Sequence, residues 1–214
     1  MNSSVPKQFL TLGEKTVLYH TLQKFLKTPA ISEIVIVVAP EMIDSELLKI
    51  SLPLFSSKSI HIVVGGKRRQ DSVYNGLRAV DPKAAIVSIH DAVRPFIRPE
   101  TISTAIDLCS QYDGVIVAAP TTNTLKEVCD HLIVKTVSRE LIWQAQTPQT
   151  FRLEILLKAY EQAYHDGITV TDDAALVERI GGRIRVIEGD AWNIKITSRQ
   201  DLILAQSIFE KGLA

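Results

Sequence analysis

The sequence predicts an α/β fold in which helices flank a mostly parallel sheet and one β-hairpin stands out from it. Apolar, β-branched runs recur as "EIVIVVAP", "HIVVGG", "AAIVSIHDA" and "GVIVAAP", the pattern of strands buried on both faces of a parallel sheet. Segments with helical spacing separate them, which argues for βαβ units with right-handed crossovers. The stretch "TTNTLKEVCDHLIVKTVSRE" then breaks the alternation.

Taken in order, a polar opening runs into Val5-Pro6-Lys7-Gln8-Phe9-Leu10 with no strand ahead of the first helix. Between Lys15 and Lys27, Val17, Leu18, Thr21, Leu22, Phe25 and Leu26 form one stripe, and Pro29 ends it. Weaker helical patterns cover Ser45 to Leu54, Asp71 to Val80 and the segment between Pro99 and Tyr112. "LKEVCD" and "LIVKTVS" read as two short strands around a turn at Asp130-His131, a hairpin too small to be stable unless it packs on something. An arm over residues 121–140 reaching a partner subunit is one reading, and an edge hairpin on the same subunit is the other. "FRLEILLKAYEQAY" and "DDAALVERIGG" are helical, the second ending at Gly181-Gly182. "RIRVIEG" and "NIKIT" read as strand pieces, and Arg199 to Lys211 as a closing helix.

The 214 residues make one domain spanning 1–214 the economical expectation, since single α/β domains reach ~200–250 residues. Charge balances at 24 basic against 24 acidic residues, so nothing steers the molecule toward nucleic acid or a membrane surface. Anionic ligands must then be met by local clusters. Cys109 and Cys129 form neither a CxxC nor a zinc pattern, which suits free thiols in a reducing, cytoplasmic setting. No apolar run approaches the ~20 residues of a membrane span, and the first residues lack the cationic and apolar regions of a signal peptide, so the chain reads as cytosolic or as a form whose targeting segment is absent.

Several motifs bear chemistry. Lys7, behind Pro6, sits where a loop can aim an ammonium at a phosphate, or simply in solvent. "GGKRRQDS" follows a strand and leads into a helix at the sheet edge where open α/β folds bind ligands. Gly65 and Gly66 there permit close backbone approach, and Lys67, Arg68 and Arg69 can meet phosphates, although the spacing is neither GxGxxG nor a Walker loop. A solvated basic turn is the alternative. "SIHDAVRPFI" places His90, Asp91 and Arg94 just past a strand, for ribose, phosphate or metal, or as a cap with its arginine partner. Thr147-Pro148-Gln149 reads as a loop turning under a ligand. Lys195, on a strand with apolar neighbours, wants an anion unless it snorkels to water. Asp172 and Asp173 at a helix start read as caps. The five histidines have no metal-ligand spacing and no GxSxG elbow exists. Cations around a sheet edge with little general-base chemistry suit phosphoryl or nucleotidyl transfer.

In order, "PKQFL", "GGKRRQDSV", "HDAVRP", "APTTNTLK", "TVSRELIWQAQTPQ", "TVTDDAALVE" and "NIKIT" resemble the 2-C-methyl-D-erythritol 4-phosphate cytidylyltransferase family over nearly the whole chain. The resemblance implies a Rossmann-like, nucleotide-diphospho-sugar transferase fold and a homodimer with interlocked hairpin arms. It further implies transfer from CTP to a sugar-alcohol phosphate, with Mg²⁺ held mainly by the substrate phosphates. Lys7 matches the residue that stabilises the transition state, and Arg139 and Lys195 match those that position the sugar phosphate. Gly66, Lys67 and Ser72 fall where the family holds cytosine, although an acidic residue often stands where this chain has Lys67. Asp91, Ala92 and Arg94 align with the ribose and sugar-phosphate side and Thr124 with an arm residue lent to the neighbouring site, and Thr147 is expected among the substrate-positioning residues. The family opens with a strand and a glycine-rich loop ahead of a Met that matches Met1, so the resemblance implies a natural protein ~20 residues longer. A cytidylyltransferase for another polyol phosphate, such as ribitol 5-phosphate, and a catalytically silent nucleotide-binding dimer are the alternatives.

Overall fold

The computed structural model describes residues 5–214; Met1, on which the expectation of a longer protein rests, lies outside them. Lys7–Phe9 forms one 3₁₀ turn. A short antiparallel pair follows, β1 (Thr11–Leu12) with β2 (Lys15–Thr16), so that, against expectation, two short strands precede the first α-helix. Next comes α1 (Val17–Leu26), whose first turn is capped by Thr16 accepting from the Tyr19 amide. The α/β alternation then proceeds as β3 (Glu33–Val38), α2 (Glu46–Ser51), β4 (Ser59–Val64), α3 (Arg69–Leu77), β5 (Ile86–Ile89), α4 (Pro99–Leu108) and β6 (Gly114–Pro120). After the hairpin of β7 (Leu125–Cys129) and β8 (Leu132–Val137) come β9 (Trp143–Arg152), α5 (Leu153–His165), α6 (Ala174–Arg179), β10 (Ile184–Glu188) and α7 (Arg199–Lys211).

Two ladders carry the α/β body. One has the order β10-β6-β9-β5 and the other pairs β3 with β4. β6 runs parallel to β10 and β3 parallel to β4, while β9 is antiparallel to both of its neighbours. The α/β expectation holds, with an antiparallel strand in its centre. An apolar cavity of about 400 Å³ runs between β3 and β5, walled by Leu18 and Leu22 of α1 on one face and Val73 and Gly76 of α3 on the other. The largest core cluster joins Phe151 of β9 to Leu156 and Tyr160 of α5 and Leu176 and Val177 of α6. A second cluster packs Leu18 and Leu22 against Ile36, Val38, Leu48 and Phe9.

Two further expectations need correction. Thr147-Pro148-Gln149 is not a loop: it lies within the ten-residue strand β9, with a cis Thr147–Pro148 bond. Pro148 has no amide hydrogen to give a ladder, and the register against β6 shifts there, between Ile116 and Ala118. The strand escapes notice because Thr147, Gln149 and Thr150 are polar yet buried. "NIKIT", in turn, is not a strand but an extended segment fastened by the Ile196 amide donating to Val93 O.

The hairpin forms as expected. Asp130 and His131 both take positive φ, 47° and 64°, the combination that a two-residue type I′ turn requires. Among the described residues β7 and β8 pair only with each other. Their surroundings are poor in cover, since Leu132 is 73% and Ile133 65% exposed.

Candidate active site

The site grows from the end of β5. His90 follows that strand directly, and the chain turns through Asp91 to Arg94, the Arg94 amide donating to Asp91 O at 3.0 Å. The Asp91 carboxylate faces inward. Its Oδ2 accepts from Arg94 Nε and from Lys195 Nζ, each at 3.1 Å. Burial works against that charge, but Lys195 and then Arg94 hold the carboxyl below the usual aspartate range. Arg94 Nη1 also donates to Asn193 O at 2.7 Å, which ties the turn after β5 to the segment that carries Lys195.

A relay of hydrogen bonds fixes this turn against β9. The Asp91 amide donates to Thr147 Oγ1 at 3.0 Å, and Thr147 Oγ1 lies 3.1 Å from His90 Nδ1. His90 Nε2 sits 3.0 Å from Arg94 O; a carbonyl only accepts, so the proton is on Nε2 and Nδ1 accepts from the Thr147 hydroxyl. Burial pushes the imidazole down to about 4, which keeps this tautomer neutral. Asn193, itself fully buried, donates to Gln146 Oε1 at 2.9 Å and Thr147 O at 3.0 Å.

Further along β9, Gln149 organises the start of α6. Its Oε1 accepts from the amides of Asp173 and Ala174 at 3.0 and 3.1 Å, and its Nε2 donates to Asp172 Oδ2 at 2.8 Å. Of the two aspartates read as caps, Asp172 acts as one, accepting from the Ala175 amide at 3.2 Å. Asp173 does not: its side chain is buried and accepts from Arg69 Nη2 at 2.6 Å and Tyr160 Oη at 2.5 Å. Burial first, then the Asp173 charge, drives the Tyr160 phenol far above its ordinary value.

Beside this network lies a cavity of about 150 Å³ lined by Arg69, Asp91, Arg94, Thr147, Gln149 and Lys195, among others. Cations and fixed polar groups line it, but no activated nucleophile does. The structure thus brings together Asp91, Arg94, Thr147 and Lys195. Ser72 and Ala92 line the larger cavity beside it, as do Arg69 and Asp91. Gly66 must be glycine, since an added Cβ would meet Asp71 Cβ at 2.3 Å, and its amide donates to Ser72 Oγ at 3.0 Å. Arg68 is spent within its own helix turn, on Asp71, and on Thr169.

Other expected site residues lie elsewhere. Lys67 is exposed and makes no hydrogen bond or ion pair among the described residues. Lys7, on its 3₁₀ turn, lines neither cavity. Thr124 and Arg139 are exposed at the base of the arm, Arg139 donating to Thr122 O, and neither lines these cavities. Sequence reasoning missed Asn193, Gln146 and Tyr160, and read Gln149 as part of a loop. The available signal was the density of hydrogen-bonding residues in "QAQTPQT", which a solvent-facing loop does not need.

His90 gives the site a pH dependence. Its folded value of about 4 lies below the ordinary imidazole, so the unfolded chain binds the proton more readily, and the stability from neutral His90 is complete above about pH 6.5 and lost as pH falls through the folded value. The stability gap between the native chain and His90→Gln, from urea midpoints, should narrow as pH is lowered from about 7 to about 4.5. A constant gap over that range contradicts the assignment.

A family model for 2-C-methyl-D-erythritol 4-phosphate cytidylyltransferase matches residues 1–211. A curated enzyme of that name from Clostridioides difficile (strain 630) is 42% identical over 209 residues, covering 97% of this chain and 87% of its own. One from Syntrophus aciditrophicus (strain SB) is 43% identical over 212 residues, covering 99% and 91%. The crystal structure of 4-diphosphocytidyl-2C-methyl-D-erythritol synthase from Anaerococcus prevotii DSM 20548 superposes with a TM-score of 0.86 at 30% identity, covering 94% of this chain and 88% of that one. With its α/β frame and its cationic sheet edge in agreement, the chain belongs to the 2-C-methyl-D-erythritol 4-phosphate cytidylyltransferase family.

Proposed function

We propose that the chain joins CTP to 2-C-methyl-D-erythritol 4-phosphate, forming 4-diphosphocytidyl-2-C-methyl-D-erythritol and diphosphate. The observation that carries the reading is the small cavity bounded by Arg69, Arg94 and Lys195, with Asp91 fixing the last two. Three cations with no activated nucleophile suit a reaction whose nucleophile, a phosphate oxygen, is already anionic. That oxygen attacks the α-phosphorus of CTP in line. The new O–Pα bond forms as the bond from the α-phosphorus to the oxygen bridging it to the β-phosphorus breaks, and its electron pair leaves on diphosphate.

Within this proposal Lys195, with Arg139 from an arm, holds the acceptor phosphate, and Arg94 and Thr147 keep the pocket in register. Asp91 and Ala92 face the ribose side, while Gly66, Lys67 and Ser72 meet the cytosine. Lys7 neutralises charge growing on the α-phosphate, and Thr124 serves the neighbouring subunit's site. Among the described residues no three His, Cys, Asp or Glu side chains gather as a metal cage. In this reading Mg²⁺ enters as a companion of the substrate phosphates. No described helix is long and apolar enough to cross a membrane, and the proposed setting is the cytoplasm, without nucleic acid or membrane partners.

The proposal extends to a single catalytic domain over 1–214 whose arm, 121–140, packs on a second copy. Exposed Leu132, Ile133 and Val134 on β8 support that partner, because an isolated two-stranded hairpin gains little stability alone.

Diphosphate release with CTP should be rapid with 2-C-methyl-D-erythritol 4-phosphate and slow with ribitol 5-phosphate; the reverse order, or CTP binding without release, would reject the reading. In the same assay Lys7→Ala should lower turnover roughly 10²–10³-fold, as for loss of one preorganised charge contact, and unchanged turnover removes Lys7 from the chemistry. Ile133→Glu should move the mass measured by light scattering from dimer to monomer. A native chain that is already monomeric, or a variant that stays dimeric, speaks against the arm.

A further inference from the structure

Arg69 stands where the two cavities meet, lining the 150 Å³ pocket and the 400 Å³ one alike; Asp91 is the other residue common to both. It is the first residue of α3, and its side chain is 39% exposed while that of its partner Asp173 is 1% exposed. The guanidinium spends one donor on Asp173, from Nη2 at 2.6 Å, and makes no other hydrogen bond among the described residues. A guanidinium carries five N–H donors in a rigid plane. Most of this fork therefore points to no protein acceptor, at the junction of the two cavities.

Its support is built with unusual thoroughness. Asp173 is held on its other oxygen by Tyr160 Oη at 2.5 Å, and its amide by Gln149 Oε1 at 3.0 Å. Tyr160 is itself fully buried and stacks on Tyr74 of α3 at 5.6 Å. A buried ion pair of this sort adds little net stability, because desolvation offsets the attraction. What it does supply is orientation of a planar cation. Arg94 and Lys195, the other cations of the smaller pocket, share Asp91 Oδ2, while Arg69, held by a different carboxylate, adds open donors with which to meet a dianion.

Building on the proposed reaction, we infer that Arg69 binds the phosphate of the sugar-alcohol acceptor directly, at the point where it meets the nucleotide. Asp173 and Tyr160 are positioning residues that set the plane of its guanidinium. The acceptor phosphate is thus gripped from α3 as well as from the segment carrying Lys195, and a planar fork rather than a point charge selects a phosphate with two oxygens presented side by side.

The test is steady-state diphosphate release with KM resolved for each substrate. Arg69→Gln should raise KM for 2-C-methyl-D-erythritol 4-phosphate roughly ten- to hundredfold, the loss of a charge-assisted contact, with KM for CTP changed less than about threefold. Arg69→Lys keeps charge without the fork and should recover only part of the loss. Tyr160→Phe leaves the ion pair but frees one side of it, and should raise the same KM by a smaller factor. Equal rises in both KM values, or an acceptor KM unchanged in both Arg69→Lys and Arg69→Gln, overturn the inference. Should Arg69→Gln fail to fold, the Lys and Phe variants carry the test in the same way. A native chain that releases no diphosphate overturns the reaction itself, which separates the two failures.

Discussion

One carboxylate oxygen holds the site together. Asp91 Oδ2 takes both the Arg94 guanidinium and the Lys195 ammonium, and these come from the turn after β5 and from the segment before α7. Remove the carboxylate and two cations repel one another in a partly buried space. Keep it, and both are fixed with their remaining donors facing a cavity. A buried charge cluster is a poor source of stability, so the cost of this one is met by the surrounding core and returned as geometry.

β9 is the spine on which both carboxylates are arranged. Thr147 receives the Asp91 amide and closes the relay to His90, and Gln149, two residues on, receives the Asp173 and Ala174 amides. Both lie in the antiparallel strand that sits between β5 and β6. The ends of β5 and α6 are therefore registered against a single extended segment, and a shift of that segment would move both anchors at once. Rigid elements place such contacts more accurately than loops do. Phe151, at the far end of the same strand, is fully buried in the largest core cluster, so packing holds the spine in turn.

The parts legible in the sequence were those governed by local rules. Apolar β-branched runs announced β3, β4, β5 and β6, and a two-residue turn between alternating segments announced the β7–β8 hairpin. The sheet edge beyond β5 was legible too, because Asp91 and Arg94 follow an apolar run within a few residues. β9 was not legible, since its inner face is made of threonine and glutamine whose burial is possible only through partners distant in sequence. Asp172 and Asp173 show the same limit: adjacent and identical in type, one caps a helix and the other is a buried counter-ion for Arg69, a distinction made by Tyr160 and Gln149 rather than by spacing. "NIKIT" has strand composition but lies outside the ladders, fastened at Ile196 instead.

The site works as described only if Asp91 acts through Lys195 rather than beside it. The direct measurement is a double-mutant cycle on kcat/KM for 2-C-methyl-D-erythritol 4-phosphate, using Asp91→Asn, Lys195→Met and the pair. Shared action predicts that the double variant loses much less than the sum of the single losses, a coupling of about 1–3 kcal/mol. Losses that add would mean that the two residues act independently, and the shared carboxylate would no longer explain the site.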